Sequence, residues 1–382
     1  MKVMLIGGTG LLGYEAAKIL SKNNHEIISF ALPPKPESIT IPNHMELILK
    51  NYLTLTEEEL LKYMEGCEGL IFAAGIDERV EGAPPIYDLY YEYNIKPLHK
   101  LLPLAKKAGV KSVVVLGSYF SYFNRIWPKL NLTKHHPYIK SRVDQEKAAF
   151  SYADENFNVA AVEIPYVFGI QEGRRPVWTI LVNEILKMKR RTYWTKGGTA
   201  MITARQVGEA IYGALIKNKG ANSYPIGYYN MTWVEMLEIF NEALDRNNHK
   251  IVTIPNFLYK IYARRLTRIN KKNNIESGLN LVEFAKLQSK NQYIEKDISI
   301  NLGVTDDDIK KAILDSVRLS KKVLEEELDL IKMKYEWKNR LGSLFFVLFF
   351  NSYNIFNYFY RFFHLVNGSI FISSVIVITT HS

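Results

Sequence analysis

The chain has 382 residues, 47% hydrophobic and 23% charged, with a formal net charge of +10 and one cysteine. That length holds one large or two medium domains, and the composition is globular rather than disordered or fibrous. The lone Cys67 excludes a disulfide framework and a cysteine-built metal centre and suits a reducing compartment, while the positive charge comes without a nucleic-acid-binding motif.

From the N-terminus, Lys2–Ile6 reads as a strand, its apolar run Val3 to Ile6 being of the kind that is buried in a parallel sheet, and no secretory leader is expected ahead of it. Gly7, Gly10 and Gly13 follow at spacings of three, with Thr9, Leu11 and Leu12 between them, and Tyr14 onward reads as a helix. A strand, a tight glycine turn and a helix N-terminus form an anion site. Backbone N–H groups point outward, the helix dipole favours negative charge, and missing side chains let a pyrophosphate approach. A bound dinucleotide is therefore expected here.

Further strand-like runs follow at Glu26–Phe30, Met45–Leu49, Gly69–Ala73, Ser112–Leu116 and Asn158–Ile164. Helical patterns lie at Tyr14–Asn23, Glu57–Met64, Ile86–Ala108 and Ser141–Glu155. Apolar strands alternating with helices predict an α/β fold, a Rossmann-type doubly wound parallel sheet, over residues 1–165. The aromatic stretch Tyr87–Tyr93 is expected to bury one face against the sheet or a second subunit.

After Pro165 the alternation loosens into helical segments at Pro176–Met188, Ala204–Lys217 and Thr232–Leu244, predicting a smaller C-terminal substrate lobe over 166–320. Within it, Lys260, Arg264, Arg265, Arg268, Lys271 and Lys272 interleave with Leu258, Ile261, Tyr262, Leu266 and Ile269. That basic amphipathic pattern fits either a solvated helix face or an anionic membrane surface. Thr305–Asp308 resembles a capping box opening a long charged helix towards Arg340. Residues 321–382 then form a third region. Its tail, Leu341–Ser382, is hydrophobic and has no acidic residue, and Lys332, Lys334, Lys338 and Arg340 precede it. Neither apolar run, Leu344–Phe350 or Ile370–Ile378, reaches the roughly 20 residues that span a bilayer, so a membrane-touching tail and a packed extension both remain open.

Ligands of such sheets sit at the carboxyl ends of the strands. The strand Ser112–Leu116 runs into Gly117-Ser118-Tyr119, and His136-Pro137-Tyr138 opens a later helix that carries Arg142 four residues after Tyr138. That spacing puts the phenol and the guanidinium on one helix face, where the cation is expected to lower the phenol's pKa and fit it for proton transfer. Lys140, two positions along, points elsewhere. Tyr119, Tyr122 and Phe123 are candidates for a substrate wall or for packing. His135 and His136 lack further ligands at metal spacing, so no metal is expected.

These features resemble the extended short-chain dehydrogenases/reductases, the NAD-dependent epimerase/dehydratase superfamily, over roughly residues 1 to 320. The resemblance rests on the Gly7–Gly13 turn, Ala73-Ala74-Gly75, Asn94, Ser118, Tyr138 and Pro165-Tyr-Val-Phe-Gly169. It implies that Ser118 binds the substrate oxygen and Tyr138 is the acid/base. The family's ribose-holding lysine falls at Arg142, which supplies charge and hydrogen bonds but releases no proton. By the same resemblance the cofactor is NAD or NADP, held by Gly7, Thr9, Gly10, Leu11, Leu12, Gly13, Ala73, Ala74, Gly75, Asn94, Tyr138, Arg142 and Pro165. Ala31 stands where NAD-preferring relatives carry an acid, and Lys35 is near, which leans the choice towards NADP. Glu163 stands where the family often has an arginine, and in Gly197–Val207, where sugar-nucleotide enzymes often place a diphosphate-binding arginine, Thr199 and Ala200 precede Met201-Ile202, although Arg174, Arg175 and Arg205 are candidate anion-binding cations.

The expected protein is a cytoplasmic NAD(P)-dependent oxidoreductase or epimerase/dehydratase with a small-molecule substrate, one candidate being a nucleotide sugar. By resemblance it forms a homodimer, and its tail is the candidate for peripheral membrane contact. The alternative is a dinucleotide-binding regulatory or scaffold protein with weak or no catalysis.

Overall fold

The computed structural model describes residues 1–326, 328, 330 and 331. Among them, strands β1 (Lys2–Ile6), β2 (Glu26–Ala31), β3 (Met45–Leu49), β4 (Cys67–Phe72), β5 (Ser112–Ser118) and β6 (Asn158–Ile164) form one parallel sheet. A seventh strand, Ala221–Pro225, joins beyond β6, giving the order β3-β2-β1-β4-β5-β6 and then this edge strand. Val3, Met4 and Leu5 are fully buried, as are Leu70, Ile71 and Phe72. Strands covered on both faces need such continuous apolar runs, and each buried side chain of this size contributes about 1.5–3 kcal/mol. The chain leaves β1 for β2 on one side and meets β4 on the other, which opens a crevice at the carboxyl ends of β1 and β4.

The helices that cover the sheet begin with α1 (Leu11–Lys22) and α2 (Glu57–Met64), the latter closed by a capping box between Thr56 and Glu59. The expected single helix over 86–108 is instead α3 (Ile86–Tyr90), a π turn over Tyr91–Ile95, and α4 (Lys96–Lys107). The wide turn carries Asn94, which is fully buried, and such turns recur at functional positions. Tyr87–Tyr93 packs on a helix rather than on the sheet: Tyr87 donates to Asp144 and the Tyr90 ring lies 5.5 Å from Tyr138.

Two further helices frame the crevice, α5 (Tyr119–Ile126) and α6 (Pro137–Phe150). The lobe contributes α7 (Thr179–Lys187), the strand Gly198–Thr203, and α9 (Trp233–Ala243) after α8 (Ala204–Lys217). The helix α8 lies against α1, where Gly208 lets the backbones meet: a Cβ there would stand 2.8 Å from Glu15 C, while one on Gly213 would stand 1.8 Å from Leu302 O in the helix Asp297–Leu302. The basic run forms α10 (Asn256–Lys272), in which Leu266 is buried while Phe257, Ile261, Arg264, Arg265 and Arg268 are exposed. The last described helix, α11, spans Ile309–Glu325. Its cap is Asp308, which accepts from Lys311 N at 2.8 Å, because Thr305 is held by Glu209 instead. The expectations for Lys332, Lys334, Lys338, Arg340 and the tail 341–382 lie outside the described residues. No helix of the described residues is long and apolar enough to cross a membrane.

Candidate active site

The glycine turn sits in the crevice between β1 and β4. Gly7 has φ +97° and donates from its N–H to Phe30 O at 2.7 Å, while Gly10 N donates to Gly7 O at 2.9 Å. A side chain on Gly7 would reach 2.7 Å from Ala73 O, and one on Gly13 would reach 2.3 Å from Gly7 O. Both positions therefore need glycine for the chain to close up. Gly10 caps α1 with no side-chain hydrogen bond, and no acid occupies the first turn. The N–H groups at that helix end keep their dipole free for an anion.

A cavity of about 720 Å³ opens from this turn and runs into the lobe. Gly10, Leu11, Leu12 and Gly13 line one end, and Ala73, Ala74 and Gly75 border it. Ser118, Tyr138, Arg142 and Pro165 line its middle. Gly7, Thr9 and Asn94 stand one layer behind. Asn94 accepts from Ile76 N at 2.8 Å and donates to Ile76 O at 3.1 Å, which fixes the loop after β4.

Ser118 ends β5 with its hydroxyl accepting from Phe120 N at 3.4 Å, and it lies near enough to the Tyr138 phenol to pull that group's pKa down slightly. Tyr138 enters α6 behind Pro137, its own N–H donating to Gly278 O at 2.9 Å. Arg142 lies with its guanidinium carbon 5.2 Å from the Tyr138 ring centroid. It donates to Ile76 O at 2.9 Å, Gln145 Oε1 at 2.9 Å and Leu116 O at 3.4 Å, tying α6 to the ends of β4 and β5. Its Nε is buried without a partner. Lys140 points away, as expected, towards Asp144.

The phenol departs from expectation. Burial pushes Tyr138 up to about 12, more than the Arg142 charge pulls it down, and Glu78 and Asp77 push the same way. Those two carboxylates belong to a group that sequence reasoning passed over, Asp77-Glu78-Arg79, four residues past Ala73 and lining the cavity. Burial would raise Asp77, but its ion pair with Arg79 outweighs that and holds it below the usual carboxylate range. Glu78 is raised by burial first and by Asp77 second. The signal was available in principle: three charged residues one position beyond the Ala73-Ala74-Gly75 that follows the strand.

A second group, the expected cation Arg174 with the unforeseen Gln171, packs on the glycine turn. Gln171 donates to Thr9 O at 2.9 Å, and Arg174 donates to Thr9 O at 2.6 Å and Thr9 Oγ1 at 3.0 Å. A lobe cation thus rests on the glycine turn. Arg205, by contrast, is tied to Glu209 and Asp307 away from the cavity. Glu163 is buried beside Glu146, both joined by Arg125.

Of the aromatics considered, Tyr119 lines the cavity, whereas Phe123 packs on Trp127. His136 accepts from Asn280 N at 3.0 Å, and burial, helped by His135, lowers it to about 4. No group of three His, Cys, Asp or Glu among the described residues is placed to hold a metal.

These residues fit a dinucleotide. The turn bares its backbone, and Gly75, at φ +138°, keeps clear the space where a Cβ would strike Asn94 Oδ1 at 2.6 Å. The orphaned Arg142 Nε needs an acceptor that the chain does not supply.

A sequence profile of the NAD dependent epimerase/dehydratase family matches residues 3–227. No curated protein matches the sequence. Among solved structures, the chain is similar to gox2253, at 14% identity over 87% of this chain and 99% of that one, with a TM-score of 0.65. It is also similar to UDP-glucuronic acid 4-epimerase from Bacillus cereus in complex with UDP-glucuronic acid and NAD, at 12% identity, 85% and 100% coverage and a TM-score of 0.60. A third is MoeE5 in complex with UDP-glucose and NAD, at 14% identity, 85% and 100% coverage and a TM-score of 0.57. At such identities the structural likeness shows the fold.

Proposed function

The chain belongs to the NAD-dependent epimerase/dehydratase family, and from that premise we propose an enzyme that moves a hydride between a bound nicotinamide and a substrate carbon bearing a hydroxyl or carbonyl. The observation that carries this reading is the placement of Ser118, Tyr138 and Arg142 on the wall of the cavity that also holds the glycine turn. When bound, the cofactor would supply or take the hydride; Arg142, Gly75 and the uncapped end of α1 would hold it.

The protein's own part is the proton. Ser118 holds the substrate oxygen beside the Tyr138 hydroxyl, and Tyr138 donates to that oxygen as a carbonyl is reduced. A phenol raised to about 12 is protonated at neutral pH, so the site rests as an acid. In the oxidising direction the phenol must first lose its proton, and Arg142 stabilises the phenolate without passing the proton on. NAD and NADP both suit the site. Ala31 ends β2 with no carboxylate to repel a 2′-phosphate, which favours NADP, and parallel titrations of NADH and NADPH decide between them.

The rival reading, a dinucleotide-binding regulator without turnover, draws support from the same raised phenol and from Arg142 in a lysine's place. Arg142→Lys separates the two. An enzyme keeps or gains turnover in this variant, whereas a pure binder shows none in either form.

A further inference from the structure

Beyond Tyr138 the cavity is walled by rings. Phe120 lies 6.3 Å from Tyr138 and 6.1 Å from Phe284, while Tyr119 leads to Tyr166 at 6.3 Å and Tyr166 to Trp178 at 5.4 Å. Several polar atoms of this wall are already engaged elsewhere. The Tyr119 hydroxyl bonds Thr199 and Gln292, and Trp178 Nε1 donates to Val167 O at 2.9 Å. What these rings present to the cavity is mostly carbon. Ile180, Leu181, Met188, Ile254 and Leu266 continue the surface from α7, the following loops and α10.

The four arginines that line the cavity, Arg79, Arg142, Arg174 and Arg175, already carry protein partners. Arg79 is paired with Asp77 and also donates to Val177 O, Arg142 is held by Ile76, Leu116 and Gln145, and Arg174 is bonded to Thr9. The stretch Gly198–Thr203 is wholly buried and contributes nothing to the wall. Glu78 and Glu184 also face this space, Glu184 paired with Lys187. A doubly charged phosphate ester would meet apolar surface and carboxylates there, at a large desolvation cost.

Three polar atoms lining this end are buried without partners: Trp194 Nε1, Thr195 Oγ1 and Glu184 Oε2. Buried polar groups are normally bonded, so these await a ligand group.

We infer that the substrate is an uncharged, largely apolar alcohol or ketone, lipid-like rather than a nucleoside-diphosphate sugar, with a second polar group that meets Trp194, Thr195 and Glu184. This deepens the hydride-transfer reading and rests on it for the reacting oxygen at Ser118 and Tyr138. Oxidation of such an alcohol breaks its carbinol C–H and O–H bonds and forms C=O. The hydride goes to the oxidised nicotinamide and the proton to the Tyr138 phenolate, so atoms and electrons balance.

The test uses the full chain with NADH present and the neutral fluorophore N-phenyl-1-naphthylamine as probe. The probe should bind saturably. Leu181→Arg should weaken it by about tenfold or more, because the cavity wall then carries a charge, and Thr195→Val, which removes no apolar area, should leave it bound. UDP-glucose up to roughly 1 mM should not displace it. NADH binding reports whether each variant is folded, and Leu181→Gln replaces Leu181→Arg should the latter lose it. Failure of the probe to bind, its displacement by UDP-glucose, or indifference to a polar group at position 181 would overturn the inference. Tyr138→Phe keeps the two readings apart. It must leave probe binding unchanged, so probe binding judges the substrate class while turnover of this variant judges the hydride mechanism.

Discussion

The two ends of the cavity are made of different material. The cofactor end is backbone: the bare turn at Gly7–Gly13, the uncapped start of α1, and the loop at Gly75 that Asn94 fixes. The lobe end is side chain, drawn from Tyr119, Tyr166, Trp178, Leu266 and Phe284, which lie far apart in sequence. A backbone site tolerates almost no substitution at Gly7 and Gly13, because a Cβ there has nowhere to go. A side-chain wall can be rebuilt residue by residue, and that is where family members are free to differ in substrate.

The largest effect expected at the cofactor end comes from Gly10→Val. Gly10 has φ −81°, a conformation any residue adopts, so the fold should survive while the new side chain blocks the approach to α1. NADH affinity measured by fluorescence titration should fall about a hundredfold, and an unchanged affinity would remove the turn from the cofactor site. Probe binding at the lobe end should persist in this variant, which tests directly whether the ends are separable.

A medium effect is expected where the ends meet. Glu78 raises the Tyr138 phenol, so Glu78→Gln removes a negative charge and should lower that pKa. In the oxidising direction, where the phenolate is needed, the pH–rate profile should move to lower pH by about one unit or less. A shift to higher pH would contradict the placement of Glu78.

The smallest effect concerns the support behind Ser118, where a Cβ on Gly117 would stand 3.3 Å from Glu146 Oε1. Burial first, then the Glu163 charge, raises Glu146 to about 8. A carboxyl whose folded pKa is raised adds stability that is complete below its unfolded value near 4.3 and is lost as pH rises through the folded value. Melting temperature should therefore decline between about pH 5 and about pH 9, and Glu146→Gln should flatten that decline. An equal slope in the variant would place the titration elsewhere.

The contrast also explains what was legible in the amino-acid sequence. Strands Lys2–Ile6, Met45–Leu49 and Asn158–Ile164 and the helix Glu57–Met64 could be read to the residue, because apolar clustering and helical periodicity are local signals. The glycine turn was legible for the same reason. The return of Ala221–Pro225 to the sheet was not, since Ala-Asn-Ser-Tyr-Pro is half exposed at an edge and carries no apolar run. Nor was the direction of the Tyr138 shift, which depends on how deeply folding buries the phenol and on Glu78, 60 residues earlier in the chain. The clasp of Gln171 and Arg174 on Thr9 joins positions 162 and 165 residues apart, and nothing local announces it.

The central claim is that Tyr138 carries the proton for hydride transfer on the bound nicotinamide. It is tested most directly by cofactor-linked turnover of the intact chain and of Tyr138→Phe, after both are shown to bind NADH or NADPH equally. The account predicts unchanged cofactor affinity and turnover reduced by about a hundredfold or more in the variant. Turnover at the wild-type rate in Tyr138→Phe would contradict it.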